Sequence, residues 1–462
     1  MIHQYKNNGY NIVLDVNSGS VHIVDDIIYD VIGYMVETGL EHENKAVAFE
    51  TLSRKFADRA EILSELVDEI YVLREEGTLF TEDIYEKSID AFQKRETVVK
   101  ALCLHIAHDC NLKCKYCFAE EGEYHGRRAL MSYEVGKKAL DFLVANSGSR
   151  VNLEVDFFGG EPLMNWQVVK ELVSYGRSLE EPHHKKFRFT LTTNGILLND
   201  EIIDFMNREM ANVVLSVDGR KEVNDRMRPL AGGQGSYDFI IPKFKKVAES
   251  RNQTNYYVRG TFTHWNKDFA ADVCHLADLG FKQISVEPVV APESADYALV
   301  PSDIPEILME YDKLATEIIK RYKEGKPFQF FHFMIDLKGG PCVYKRLSGC
   351  GSGTEYLAVT PWGDFYPCHQ FVGQDKFLMG NVDDGITNTN IREQFKACNV
   401  YSKEKCKSCF AKFYCSGGCA ANSYNFHGDI NDVYDLGCEL QRKRVECAIM
   451  IKAALAEEDA KA

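Results

Sequence analysis

Three cysteines stand close together in the run His108-Asp109-Cys110-Asn111-Leu112-Lys113-Cys114-Lys115-Tyr116-Cys117-Phe118. Their CxxxCxxC spacing can bring three thiolates to one iron-sulfur cluster and leave its fourth iron without a protein ligand, a vacancy where chemistry can happen. A structural zinc knuckle uses the same residue type. Such sites close with a fourth Cys or His nearby, however, and neither His108 nor His125 stands at a suitable spacing. A second group lies downstream: Cys350, Cys368, Cys406, Cys409, Cys415, Cys419 and Cys438, interleaved with Gly351, Gly353, Gly417 and Gly418. Taken alone, Cys406-x2-Cys409 reads equally well as half of a zinc ribbon. Cys103, Cys274, Cys398 and Cys447 stand singly in apolar or helical contexts and read as packing residues.

The elements that must position these thiols alternate in type. Strands read at 99–106, 152–158, 187–193, 213–217, 256–263 and 283–288; helices read at 133–146, 166–178, 200–210, 237–249, 267–279 and 303–323. Six βα units predict a partial, TIM-like (β/α)6 barrel over 96–330, whose site lies at the C-terminal ends of the strands. The first cysteine group follows the first strand, Gly159-Gly160-Glu161 the second, Thr193-Asn194 the third, and Ser216-Val217-Asp218 the fourth. The two glycines can let backbone approach a ligand closely, and Glu161 adds an acceptor able to fix an ammonium. Arg228, or Arg259 on the fifth strand, can pair with a carboxylate.

Before the barrel, residues 1–95 read as a hairpin (Tyr10–Val16, Ser20–Val24) followed by three helices, a small winged-helix-like module. After it, 331–462 is a Cys-rich region ending in an amphipathic helix over 439–456. The 462-residue chain is 45% apolar and 27% charged, contains no apolar run long enough for a membrane span, and opens on polar sequence rather than a signal peptide. A cytosolic location is expected. There, most of the fifteen cysteines read as metal ligands or catalytic groups rather than disulfides. The net charge of -15 argues against nucleic acid as partner.

Together these motifs resemble the radical S-adenosylmethionine (SAM) superfamily with a C-terminal SPASM extension. The resemblance implies that Cys110, Cys114 and Cys117 hold a 4Fe-4S cluster whose open iron chelates SAM, and that reductive cleavage yields a 5'-deoxyadenosyl radical. It also implies that Phe118, Gly159, Gly160, Glu161, Thr193, Asn194, Ser216, Asp218 and Arg228 form the SAM pocket. Two auxiliary 4Fe-4S clusters follow from it, one on Cys350, Cys368 and Cys419 and one on Cys406, Cys409, Cys415 and Cys438. Cys342 either completes the first auxiliary set or leaves an iron open to a substrate thiolate.

The N-terminal module resembles the element that captures the leader of a ribosomally made peptide as an added strand; a structural extension or dimerisation module is the alternative. Sulfatase maturases carry an aspartate base where this chain has His369, so His369 is the candidate catalytic base here. Over its length, including Gly340-Pro341-Cys342-Val343-Tyr344-Lys345-Arg346, the chain resembles the maturases of small Cys-rich (SCIFF) peptides. That resemblance implies thioether cross-linking of a Cys-rich precursor peptide, with a flavodoxin or ferredoxin as electron donor. Formylglycine formation of the sulfatase-maturase kind is the alternative activity.

Overall fold

The computed structural model describes residues 1–124, 126–337 and 342–461. At the N-terminus β1 (Ile2–Asn7), β2 (Tyr10–Asp15) and β3 (Val21–Val24) form an antiparallel sheet in that order. Helices Asp26–Thr38, Lys45–Lys55 and Ala60–Glu75 follow. Two of them begin as their sequence dictates: the side chains of Asp25 and Asn44 accept the backbone N–H groups of Ile28 and Val47, satisfying donors that have no intrahelical partner. The hairpin of β2 and β3 is as expected, whereas β1 is an addition. Its sequence, IHQYKN, shows little apolar alternation, because its polar groups are spent on tertiary contacts. The Tyr5 hydroxyl donates to the Glu446 carbonyl at 2.9 Å, and Asn7 Nδ2 donates to Asp312 at 2.9 Å.

Alternation along β2 splits its side chains between two cores. Val13 joins Val31, Ile32, Met35 and Leu52 of the module's own helices, while Ile12, Leu14 and Val16 join the core of the main body. The module is therefore packed into the molecule through one whole face of its sheet.

The barrel sheet is parallel from β4 (Ala101–His108) through β6 (Asn152–Gly159), β7 (Lys186–Thr193), β8 (Met210–Ser216), β9 (Tyr256–Phe262) and β10 (Gln283–Pro288) to a short edge, β11 (Gln329–Phe330). A two-residue strand, β5 (Ala129–Leu130), pairs antiparallel with the end of β4. All six expected strands are present, and the sheet is open. On the far side of β4 it continues through residues assigned by sequence to the C-terminal region. There β12 (Tyr356–Val359) lies parallel to β4 with Val359 opposite Leu104, and β13 (Asp364–Tyr366), β14 (Gly380–Asn381) and β15 (Gly385–Ile386) follow antiparallel. The C-terminal helix is longer than its periodicity suggested, Asp435–Lys461, so Cys438 lies in its first turn; it packs along the helix Ile304–Lys323. Among the described residues no helix is long and apolar enough to cross a membrane.

Candidate active site

The first thiol group sits where β4 ends. The loop is stitched to residues 227–229 by backbone bonds from Lys113 N to Pro229 O and from Lys115 N to Met227 O, both 2.9 Å. Behind it lie Gly159 and Gly160. A Cβ on Gly159 would stand 2.3 Å from the Ala107 carbonyl oxygen, and one on Gly160 would stand 2.1 Å from that of Asp109. Both positions thus need glycine, and the close approach is made to the thiol-bearing strand itself. The same two residues line the cavity above it.

That cavity, about 260 Å³, brings together Cys110, Cys114, Cys117, Phe118, Thr193, Asn194 and Ser216 from three strand ends, and Arg228 from beyond the helix that follows β8. It also receives Arg259 and His369. Burial pushes the Cys110 thiol up to about 12, with Glu161, Cys114 and Cys117 adding to the shift, and the Cys114 thiol up to about 11. Such thiols ionise when a cation compensates them, as metal ligands must. Donors already face the sulfurs: Leu112 N lies 3.5 Å and Asn194 Nδ2 3.7 Å from Cys110 Sγ, and Arg228 Nη1 lies 4.0 Å from Cys114 Sγ. Among the described residues no three His, Cys, Asp or Glu side chains converge as a single metal ion requires. A cluster makes no such demand, since each thiolate binds its own iron. The residues present therefore fit an iron-sulfur cluster with a ligand-binding cavity above it. His125 lies outside the described residues, and His108 is buried with its Nε2 2.9 Å from His105 Nδ1.

Two sequence candidates lie behind the cavity wall. Glu161 is fully buried, and its carboxylate accepts from Thr193 Oγ1 (2.8 Å), Asn194 N (2.7 Å) and Leu163 N (3.0 Å). It ties the second strand end to the third instead of presenting an open acceptor to an ammonium. Asp218, also fully buried, accepts from the Tyr116 hydroxyl at 2.8 Å, Arg228 Nε at 3.0 Å and Thr261 N at 3.0 Å. Its role is to aim Arg228 across the cavity beside Cys114. Arg259 is held differently, donating from Nη2 to Glu287 at 2.8 Å, and its side chain is 46% exposed. Against the effect of burial, Arg259 and His332 hold the Glu287 carboxyl down at about 2.

Tyr116 and Glu287 were not singled out from sequence. Glu287 is the penultimate residue of the sixth expected strand, so the strand-end rule that found the other motifs could have found it. Tyr116 carries no such mark, because only the fold brings its hydroxyl to Asp218.

The hairpin of β12 and β13 delivers His369 to the cavity, with Cys368 buried beside it in sequence. The His369 ring lies 5.7 Å from Phe118 and 5.2 Å from Phe158, and its Nδ1 is 3.3 Å from the Tyr356 hydroxyl. Burial brings its pKa down to about 4. Burial also pushes the Cys368 thiol up to about 12, and Cys419 and Cys350 contribute, which places those three thiols near one another. Cys342 is exposed at the start of the helix Val343–Ser348; Gly340 and Pro341 lie outside the described residues.

Cys406, Cys409, Cys415 and Cys438 line one further cavity, with Cys419 at its wall. Glu287, Pro288 and Val290 line both cavities, so one strand end separates them. Cys103 and Cys447 are buried, and Cys274 and Cys398 are partly buried.

Comparison with known proteins places these features in context. Residues 104–270 match the radical SAM superfamily. A cysteine-type anaerobic sulfatase-maturating enzyme of Clostridium novyi is 25% identical over 352 residues, covering 72% of this chain and 90% of the relative. Among solved structures, native anSMEcpe with bound AdoMet and Cp18Cys peptide is similar with a TM-score of 0.64 at 20% identity, covering 78% of this chain and 99% of that one. Streptococcus suis SuiB bound to precursor peptide SuiA is similar with a TM-score of 0.50 at 16% identity, covering 92% and 95%.

Proposed function

We infer that this chain, a radical SAM enzyme through residues 104–270, installs a thioether bond between a cysteine sulfur and a carbon of a Cys-rich precursor peptide. The observation that carries this reading is the single strand end, Glu287 to Val290, shared by the two thiol-lined cavities. Joining sulfur to carbon removes one hydrogen from each, and the electron left over needs an acceptor within reach. When bound, SAM and its cluster supply the radical that takes the first hydrogen, and the clusters fitting the C-terminal thiols supply the acceptor.

The chain's own residues do the placing. Arg228, aimed by Asp218, presents a guanidinium to a ligand carboxylate. Phe118 and Phe158 flank His369 at the cavity and fix the position of its ring. With Nδ1 facing Tyr356, His369 has Nε2 to take a substrate proton.

Peptide capture fits the N-terminal sheet. β1 sets its His3, Tyr5 and Asn7 side chains against the C-terminal helix, while β3 pairs only with β2 among the described residues. Asp15 N–H bonds the Ser20 carbonyl at 2.9 Å, so alternation points the Val21 and Ile23 N–H groups toward the free edge, where an incoming strand can add. The structural neighbours crystallised with peptides support a peptide substrate.

The test is turnover with a Cys-rich precursor peptide. The product should be lighter by two hydrogens, resist reductant, and have lost one alkylatable cysteine. Deuterium at the acceptor carbon should appear in 5'-deoxyadenosine. The similarity to sulfatase-maturating enzymes over most of their length favours a second reading, oxidation of a substrate Cys or Ser to formylglycine. An aldehyde product would establish that reading instead.

A further inference from the structure

The segment that leads from the N-terminal module into the barrel carries Asp83, and this carboxylate reaches into the C-terminal domain. It accepts Lys412 Nζ at 2.7 Å and the Tyr401 hydroxyl at 2.8 and 2.9 Å. Backbone N–H groups of Tyr85 and Glu86 fix it from its own side at 3.0 and 3.2 Å. The Lys412 side chain is only 4% exposed and that of Asp83 15% exposed, so each charge depends on the other for compensation.

Lys412 stands between Cys409 and Cys415, donates its backbone N–H to the Cys409 carbonyl at 3.2 Å, and lines the cavity formed by Cys406, Cys409, Cys415 and Cys438. The same loop is gripped at two more points. His3 stacks on Phe410 with centroids 3.5 Å apart, and Tyr85 meets Phe413 edge-on at 5.3 Å.

We propose that Asp83 is a positioning residue for the second C-terminal cluster, tethering the Lys412 ammonium and through it the Cys409–Cys415 ligand loop, and so setting that loop's geometry and the cluster's reduction potential. This rests on the reading that these four thiolates hold a cluster. A cluster's potential follows the charge around it. With Asp83 neutralised, the Lys412 charge is no longer offset, the reduced cluster is favoured, and the potential rises. With Lys412 neutralised, the Asp83 charge is left over, and the potential falls.

The experiment is anaerobic EPR redox titration and iron analysis of the reconstituted full chain, with Asp83→Asn, Asp83→Glu and Lys412→Met compared with wild type. Expected are a positive shift of one cluster in D83N, a negative shift of that same cluster in K412M, and wild-type behaviour in D83E, with the other clusters unchanged. Selective loss of that one cluster in D83N also supports the clamp. Unchanged potentials, shifts of the same sign in D83N and K412M, or equal loss of all clusters with a lower melting temperature would overturn it. Replacing Cys406 and Cys409 by Ala in the wild-type background separates the two claims. If iron content and EPR do not change, the cluster reading is what has failed.

Discussion

Asp218 offers the sharpest test of the site geometry. Its carboxylate is fully buried and is the ion-pair partner of Arg228, whose side chain is 12% exposed. Removing one member of a buried pair leaves an uncompensated charge, which costs about 3–5 kcal/mol. Asp218→Ala should lose roughly that much. Asp218→Asn leaves the same charge uncompensated but keeps an acceptor oxygen, so its loss should be smaller than that of Asp218→Ala by about 0.5–1.5 kcal/mol.

The structure adds a condition. Arg228 Nη1 lies 4.0 Å from Cys114 Sγ, so once that thiolate is bound to iron it supplies negative charge on the other side of the guanidinium. The destabilisation should therefore be larger in iron-free protein than in reconstituted protein, by about 1 kcal/mol or more. Urea denaturation midpoints of wild type and both variants, each with and without iron, measure all of these quantities. Isothermal titration with SAM should show weakened binding in both variants, because Arg228 is no longer aimed. A loss below about 0.5 kcal/mol in D218A, the range of an ordinary surface change, would refute the assigned role of Asp218. So would equal losses with and without iron.

Four other outcomes follow from the same geometry. Replacing Cys110, Cys114 and Cys117 together by Ala should abolish SAM cleavage while the C-terminal EPR signals persist; continued formation of 5'-deoxyadenosine would contradict the assignment. Gly160→Ala places a Cβ 2.1 Å from the Asp109 carbonyl oxygen, where backbone must move, so a loss of about 1–3 kcal/mol and poor iron incorporation are expected from denaturation and iron assay. Burial raises the Glu161 carboxyl from its ordinary 4.5 to about 7, so the folded chain keeps a proton that the unfolded chain has released. Its contribution to stability should fall as pH rises from about 4.5 to about 7, by up to about 1.4 kcal/mol per unit, and Glu161→Gln should lack that slope in urea midpoints across this range. Ile23→Pro removes one outward N–H of β3 and should weaken peptide binding while leaving peptide-free SAM cleavage intact; unchanged affinity would return the module to a structural role. This substitution is a cleaner probe than deleting residues 1–90, because Ile12, Leu14 and Val16 belong to the main core and their removal would expose it.

The cysteine spacing and the strand-by-strand placement of Gly159-Gly160, Thr193-Asn194 and Ser216 are local properties. Parallel strands in register bring every strand end to one rim, so the order of motifs along the chain already implied a shared cavity. The hairpin and helices of the N-terminal module were legible for the same reason, since amphipathic period and capping residues act over a few neighbours.

What depended on partners distant in sequence was not legible. β1 exists because Tyr5 and Asn7 find Glu446 and Asp312, and no pattern within IHQYKN could announce that. The short strand β12 pairs with β4 across some 250 residues, and that pairing carries His369 to the cavity. The roles of Glu161 and Asp218 also turned on tertiary structure. A carboxylate at a strand end reads as a ligand contact, and whether it faces the cavity or the protein's own donors is decided by which backbone N–H and hydroxyl groups the neighbouring strands bring within 3 Å.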